Sequence, residues 1–262
     1  VLYLNPIFES ASNHRYDTID YHSVEPDIGT EEELKTLIAE AHALGLRVMI
    51  DAVFNHCGAK CALWQDVLEK GPQSDYYHWF CVNRWPIDAQ THATKRGDYF
   101  SFAFVDNMPK FDTSEPDVME YLTGIAKHWV CDWKVDGIRF DVGNEISHAF
   151  LKHLRLELKK CNPKLFLLGE IWHDAFPWLL GDEYDSTMNY PFLACVNNFW
   201  ADKTQSGTDF MHGINQCYSM YYEQVNRVLF NLLDSHDTDR LMERCHGNAD
   251  MFLAQLTVPV SY

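Results

Sequence analysis

The chain has 262 residues, 47% hydrophobic and 23% charged, which is enough to bury a large core in one large or two small domains. Its 38 acidic residues outnumber 21 basic ones, and the formal net charge of −17 argues against nucleic acid, whose phosphates attract lysine and arginine. No stretch reaches the roughly 18 apolar residues of a membrane span, so we expect no membrane partner.

The strand and helix patterns alternate along the chain. The apolar run VLYLN (1–5) predicts a strand, and the following residues 29–45 predict a helix. Thr30 and Glu33 have the spacing of a capping box, and Gly45 suits the end of the helix. The later elements are a strand at 46–56, a helix from Pro116 to Trp133, a strand at 135–143, a helix from Ile146 to Lys160, a strand at 165–172, and strand-like runs at 184–190 and 228–237. This alternation predicts an α/β fold, with a parallel sheet and helices outside it.

Residues 57–112 interrupt the alternation with aromatic, Gly, Pro and Asp residues of little periodicity. The segment lies between a strand and its helix, where α/β proteins place functional loops. We predict that 57–112 is an irregular inserted domain or a lid, and that 1–56 and 113–262 form the portion with alternating strands and helices.

Eight cysteines are scattered without tandem Cys-x-x-Cys spacing. An even count is compatible with disulfides, but a chain of this size does not need them, and the first residues lack the features of a signal peptide. We therefore expect reduced thiols in a cytoplasmic protein. A zinc site at His56, Cys57, Cys61 and Cys81 is an alternative that no second paired motif supports.

Polar side chains concentrate where the predicted strands end. They are Asp51, Asn55 and His56 in one strand, Arg139 and Asp141 in the next, then Glu170 with Trp172, and His236 with Asp237. A doubly wound sheet gathers ligands near one switch point, whereas every strand of a (β/α)8 barrel can contribute to one site. Four strands with acids or histidines at the same end therefore favour a (β/α)8 TIM-type barrel.

The three acids among these residues suggest a chemistry. Asp141, Glu170 and Asp237 would converge, and crowded carboxylates move one another's pKa values apart. Glycoside hydrolysis needs such a pair, an acid for the leaving oxygen and a carboxylate for the anomeric carbon. Arg139 shares a strand face with Asp141 and would keep it ionised. The alternatives are structural capping or pairing, and a magnesium site made of the three acids.

Four segments resemble the signatures of the α-amylase superfamily, and more narrowly its neopullulanase, cyclomaltodextrinase and maltogenic amylase group. They are DAVFNH (51–56), GIRFDVGNE (137–145), GEIW (169–172) and DSHD (234–237), with further similarity in HRYDTIDY (14–21) and MPKF (108–111). The resemblance implies a retaining hydrolase of α-1,4-glucosidic bonds in cyclodextrins, pullulan or starch-derived oligosaccharides. It leaves two alternatives, a glucanotransferase of the same superfamily and a catalytically silent glucan-binding fragment.

The resemblance also implies a role for each site residue. Asp141 would be the nucleophile that forms a β-glycosyl enzyme, Glu170 the general acid and then base, and Asp237 the group that stabilises the transition state. The substrate-binding residues would be Tyr16, His56, Arg139, His236, Asn144, Glu145 and Trp172, and the supporting residues Asp51 and Asn55.

The resemblance also implies expectations about cofactors, about the number of barrel strands in this chain and about a dimer. No cofactor is required, although many α-amylases hold calcium with an asparagine at the position of Asn55, a site that this group often lacks. Family members have strands and domains before and after the matching region, so we expect an incomplete barrel with about strands 2–7. In this group an amino-terminal domain commonly swaps across a dimer, which makes a homodimer the expectation for the full-length protein.

Overall fold

The computed structural model describes residues 1–88 and 92–261, and they divide into two compact units. The first unit is Val1–Leu167, and the second begins at Leu168. Residues 89–91 of the predicted insertion and residue 262 of the predicted barrel portion lie outside the described residues.

The first unit alternates strands and helices as the sequence predicts. Its elements are β1 (Leu2–Leu4), β2 (Phe8–Ser10), β3 (Thr18–Val24), α1 (Glu31–Ala43), β4 (Val48–Ala52), α2 (Ala62–Lys70), α3 (Pro116–Cys131), β5 (Gly137–Phe140), α4 (His148–Cys161) and the start of β6 (Phe166–Gly169). No helix within the described residues has both the length and the apolar character to cross a bilayer.

Strands β1, β4 and β5 form a parallel ladder, which confirms the predicted parallel sheet. All residues of β4 are buried, as expected for a strand covered on both faces. The register of β4 and β5 places Asp51 opposite Arg139. The amide of Phe166 donates to the carbonyl of Asp136 at 2.9 Å, so β6 starts beside the amino end of β5.

Strands β2 and β3 form a separate antiparallel pair. The strand patterns did not predict this pair, and the HRYDTIDY segment (14–21) enters β3 from Thr18 onward. Their register, Phe8 with Val24 and Ser10 with Thr18, contains irregularities that hide the usual alternation of a hairpin.

The predicted capping box of α1 is confirmed. Thr30 Oγ1 accepts from the amide of Glu33 at 3.3 Å, and a carboxylate oxygen of Glu33 accepts from the amide of Thr30 at 2.9 Å. The helix buries Leu34 and Ile38. Gly45 follows it with φ +74°, the left-handed conformation that favours glycine at this position.

Two cysteines contradict the expectation of reduced thiols. Cys131 and Cys161 end α3 and α4, two helices that pack against each other, and they form a disulfide with their Cα atoms 5.8 Å apart. That separation is in the ordinary range for a disulfide. The other six cysteines, all within the described residues, are free thiols.

The described part of 57–112 is largely irregular, as its low periodicity predicts. Besides α2 it contains isolated bridges, such as Val82 with Tyr99 and Ser101 with Pro109. Trp64 is buried against Phe80 and Tyr99 and is therefore a core residue.

The second unit has few strands and more helices than the sequence predicts. Its elements after β6 are β7 (Ser186–Thr187), α5 (Tyr190–Trp200), α6 (Gly207–Ser219), α7 (Glu223–Asn226), α8 (Leu241–Arg244) and α9 (Ala249–Ser261). β7 pairs in parallel with the end of β6. The predicted strand-like run 228–237 contributes a single bridge, Phe230 with Met188. Asn197 donates to the carbonyl of Leu233 in this run. The core contains Phe192, Val196, Ile214, Leu233 and Leu241.

Asp136 ties the amino end of β5 to α1 and β4. Its carboxylate accepts from the amide of Val48 at 2.9 Å, from His42 Nε2 at 2.7 Å and from Arg47 Nη1 at 2.9 Å. Burial opposes ionisation, but the hydrogen bonds from Val48, His42 and Arg47 outweigh it and lower the pKa of Asp136.

We expect Asp136→Asn to reduce the free energy of unfolding by about 1–3 kcal/mol, because the new amide nitrogen cannot accept from these donors. A lowered carboxyl pKa stabilises the fold above the ordinary aspartate value and ceases to do so as pH falls. The difference between parent and variant should therefore shrink below about pH 4. Urea unfolding at neutral and acidic pH measures both effects. Glu40→Gln, on the exposed side of α1, is the control and should change stability by less than about 0.5 kcal/mol; equal losses in the two variants would contradict the assigned role.

Candidate active site

Arg139 lies at the centre of a buried polar cluster in the first unit. Its side chain is fully buried, and Nη1 is 2.9 Å from both carboxylate oxygens of Asp51 and 3.0 Å from Oδ1 of Asp141. The ladder pairs Asp51 with Arg139, and Asp141 is two residues further along the same face. One guanidinium nitrogen therefore forms ion pairs with two carboxylates. This pairing explains how Arg139 and Asp141, which carry opposite charges, can both be buried at the end of β5.

Two tyrosine hydroxyls complete the partners of Asp51. Tyr3 Oη donates to Asp51 Oδ2 at 2.7 Å, and Tyr16 Oη donates to the same oxygen at 3.0 Å. Burial first, and then the charge of Asp51, raises the pKa of both tyrosines well above the usual value. Both phenols therefore stay protonated donors. The ring of Tyr16 also lies 5.8 Å from Arg139 Cζ, within cation–π range.

His56 is fully buried beside this cluster. Its Nε2 is 3.0 Å from the carbonyl of Tyr16, its Nδ1 is 3.2 Å from Asn55 Nδ2, and the ring of Phe102 stacks on it at 5.1 Å. Burial lowers the pKa of His56 to about 4, so the ring is neutral at neutral pH. The partners assign the proton to Nε2, which donates to the carbonyl, while Nδ1 accepts from Asn55.

The structure does not gather the ligand atoms of His56, Cys57, Cys61 and Cys81, the residues of the zinc alternative, closely enough for an ion. Within residues 1–88 and 92–261, the one group of three or more His, Cys, Asp or Glu side chains close enough to hold an ion is a different, surface group: His78, Glu115 and Asp117.

Asn55 is the residue that the calcium expectation depends on. Its Oδ1 is buried and has no hydrogen-bond partner among the described residues, as a ligand oxygen would be. Calcium is bound by roughly 6–8 oxygen ligands, and Asn55 supplies only one of them, so calcium binding stays a prediction.

The chain turns sharply after Asp141. Val142 has φ +48° and ψ +45°, a left-handed conformation that is uncommon for a β-branched residue. A short 3-10 turn, Gly143–Glu145, follows and contains half-buried Asn144. The carboxylate of Glu145 pairs with Lys110 Nζ at 2.5 Å. Lys110 was not predicted as a site residue, although it lies within the MPKF segment (108–111).

In the second unit, Glu170 directly follows β6 and is 6% exposed. Trp172 Nε1 donates to Glu170 Oε1 at 3.1 Å. The indole of Trp172 stacks on Tyr190 with centroids 3.9 Å apart and an angle of 9° between the rings, yet half of Trp172 remains exposed. Tyr190 was not predicted as a site residue, because its connection to the site is the stacking on Trp172, which the sequence does not show.

The segment 234–237 holds the other two predicted residues of this unit. Asp237 has a side chain 41% exposed, and its Oδ2 is 3.1 Å from Nε2 of His236. The amide of Asp237 donates to Ser235 Oγ at 3.2 Å, and Tyr190 Oη is 3.5 Å from the same oxygen. Tyr190 therefore contacts both the Trp172 ring and the 234–237 segment.

The structure thus brings together two subsets of the predicted residues, one in each unit. The first contains Tyr16, Asp51, Asn55, His56, Arg139 and Asp141, with Asn144 and Glu145 on the following turn; the second contains Glu170 with Trp172, and His236 with Asp237. The convergence of all three carboxylates stays a prediction.

Gly169 immediately precedes Glu170 and lets an aromatic ring approach the strand. A methyl group at Gly169 would lie 2.5 Å from Tyr184 Cδ2, whereas one at Gly124 on α3 would meet no atom within 4 Å. We expect Gly169→Ala to destabilise the chain by about 1–3 kcal/mol through overpacking. The control, Gly124→Ala, should stabilise it by about 0.5–1 kcal/mol, because alanine is the better helix former. Urea unfolding measures both, and a Gly169→Ala variant as stable as Gly124→Ala would disprove the packing constraint.

Comparison with known proteins gives consistent matches along the chain. The family model described as alpha amylase, catalytic domain, matches residues 1–259. A cyclomaltodextrinase of Geobacillus thermopakistaniensis (strain MAS1) is 44% identical over 260 residues, covering 98% of this chain and 44% of that protein. Neopullulanase 2 of Thermoactinomyces vulgaris is 41% identical over 262 residues, covering 100% and 44% respectively. A solved cyclomaltodextrinase structure has a TM-score of 0.93 at 39% identity and covers 97% of this chain and 43% of that one. The chain spans less than half the length of these relatives.

Proposed function

Because this chain belongs to the alpha-amylase catalytic-domain family, we propose that it carries the catalytic residues of a retaining hydrolase of α-1,4-glucosidic bonds. The resemblance to the cyclomaltodextrinase and neopullulanase group is confirmed by the matches. The family fold is the predicted (β/α)8 TIM-type barrel, consistent with parallel strands that alternate with helices along the chain. The incomplete barrel with about six strands and the limits of the insertion stay predictions.

The observation that carries the proposal is the contact between Arg139 and Asp141. A glycosidase nucleophile must be ionised and aimed, and the buried guanidinium 3.0 Å from Asp141 Oδ1 supplies both the charge and the orientation. Asp141 attacks the anomeric carbon as the glycosidic bond breaks, which gives a β-glycosyl enzyme. Water then attacks the anomeric carbon from the face opposite Asp141 and displaces it, so two inversions retain the α configuration.

Glu170 supplies the proton for the leaving oxygen in the first step and takes one from water in the second. The indole N–H of Trp172 donates to Oε1 and so directs the transferred proton to Oε2. Asp237 is more exposed than the other two acids, which suits a group that binds sugar hydroxyls rather than the reacting bond.

The substrate-binding proposal includes Tyr16, His56, Arg139, His236, Asn144, Glu145 and Trp172. Cyclodextrins, pullulan and starch-derived oligosaccharides are the proposed substrates, since relatives are named cyclomaltodextrinase and neopullulanase. The homodimer, the cytoplasmic location and calcium stay predictions, and no step uses the ion.

The first test is release of reducing ends from β-cyclodextrin. We expect activity in this chain, a loss of about 10²–10⁴-fold in Glu170→Gln, and a loss at least as large in Asp141→Asn. Glu40→Gln is the control and should retain the parent activity. Activity that survived both active-site substitutions would overturn the mechanism. An inactive parent that melts at a higher temperature with millimolar maltooligosaccharide would instead support the silent glucan-binding alternative.

A second test separates hydrolysis from transfer. Water and a sugar hydroxyl compete for the same covalent intermediate, so the products report which one wins. We expect this chain to convert maltotriose into maltose and glucose. Chromatography that detects oligomers longer than maltotriose as main products would favour the glucanotransferase alternative.

A further inference from the structure

We propose that Tyr3 is a positioning residue, whose hydroxyl holds Asp51 so that Arg139 stays on the nucleophile Asp141. This inference rests on the proposed function, because it gives Asp141 the role of nucleophile. Tyr3 acts through Asp51 and Arg139, and it belongs to neither the predicted catalytic nor the predicted binding residues.

The contacts of Asp51 define the arrangement. Its Oδ2 accepts three hydrogen bonds, from Tyr3 at 2.7 Å, from Tyr16 at 3.0 Å and from Arg139 Nη1 at 2.9 Å. Its Oδ1 accepts from the same Nη1 at 2.9 Å. The bond from Tyr3 is the shortest of the four, and Asp51 is fully buried, so water does not replace a missing donor.

The backbone fixes these contacts. Tyr3 lies opposite Met49 in the parallel ladder, two residues before Asp51, and therefore on the same face of the strands. Asp51 is in turn paired with Arg139. The three side chains come from the strands β1, β4 and β5.

The effect of Tyr3 follows from competition between two anions for one cation. Nη1 of Arg139 contacts both Asp51 and Asp141. A buried carboxylate that loses a donor draws its remaining donors closer, because it has no solvent to stabilise its charge. Without the Tyr3 hydroxyl, Arg139 would move toward Asp51, and Asp141 would lose part of the positive charge that keeps it ionised.

The charged and titratable groups around this cluster do not offer a substitute. In the first unit, Asp51 on β4 is contacted by Tyr3 on β1, by Tyr16 between β2 and β3 and by Arg139 on β5, which also contacts Asp141. His14 lies beside Tyr16, and His14 and Lys110 act electrostatically on His56 after β4. Tyr16 already donates to Asp51, and His56 is neutral and engaged with the carbonyl of Tyr16. The raised pKa of Tyr3 keeps its hydroxyl a donor throughout the range in which Asp141 titrates.

Tyr3→Phe removes the hydroxyl and leaves the ring. We expect kcat on β-cyclodextrin to fall about 10-fold with KM changed less than about twofold, and the acidic limb of the pH–rate profile to move up by about 0.5–1 pH unit. The matched control is Tyr99→Phe, which also removes a buried hydroxyl, one that donates to the carbonyl of Asp106 at 2.8 Å in the inserted segment. It should cost a similar stability and leave the acidic limb unchanged.

A measurement that does not need turnover accompanies the kinetics. Carbon-13 NMR titration of the aspartate carboxyls, assigned with Asp141→Asn, should give a higher pKa for Asp141 in Tyr3→Phe than in the parent and in Tyr99→Phe. An unchanged Asp141 titration in Tyr3→Phe would overturn the positioning role, whether or not the chain turns over. Failure of the proposed function looks different, since Asp141→Asn would then be as active as the parent.

Discussion

The buried guanidinium of Arg139 sets the constraint on which the described site in the first unit depends. A cation without water is tolerated only beside anions, and breaking a buried ion pair leaves an uncompensated charge that costs several kcal/mol. Here the carboxylates of Asp51 and Asp141 form ion pairs with the guanidinium, and tyrosine hydroxyls donate hydrogen bonds to Asp51. A slip of β4 against β5 by one residue would turn Asp51 or Arg139 to the opposite face. The interaction that holds Asp141, the proposed nucleophile, therefore also favours the observed register of two strands.

Part of this arrangement could be predicted from local sequence, because the relevant information lies within a few residues. The alternation of Arg139 and Asp141 with apolar neighbours, and the Thr30–Glu33 spacing, are local patterns, and the structure shows the expected contacts. Tyr3, Lys110 and Tyr190 were not predicted as site residues. Tyr3 and Lys110 bind partners that are 35 or more residues away in the sequence, and Tyr190 stacks on Trp172 only in the folded chain. The disulfide was also not predicted, because it depends on how α3 packs on α4 rather than on the spacing of the cysteines in the sequence. The antiparallel pair of β2 and β3 was missed because its register is irregular.

The exposure of the three acids differs in a way that matches their proposed roles. Asp141 and Glu170 are buried, whereas Asp237 is exposed. Groups that form a bond or move a proton gain from a dry site, where nearby charges and hydrogen bonds act strongly. A carboxylate that binds sugar hydroxyls works at a wetter surface. Gly169 adds a steric limit, since it allows Tyr184 to pack directly against the strand that ends at Glu170.

The disulfide between Cys131 and Cys161 has a topological consequence. The two cysteines are 30 positions apart, and the covalent ring that they close contains all of β5 together with Asp141 and the turn up to Glu145. Closing a ring of this size removes conformations from the unfolded chain, a contribution of about 3–4 kcal/mol in the loop-entropy description. A protease cut inside the ring would leave both fragments joined, so the segment that carries Arg139 and Asp141 would stay tethered to α3 and α4 after its backbone had been broken.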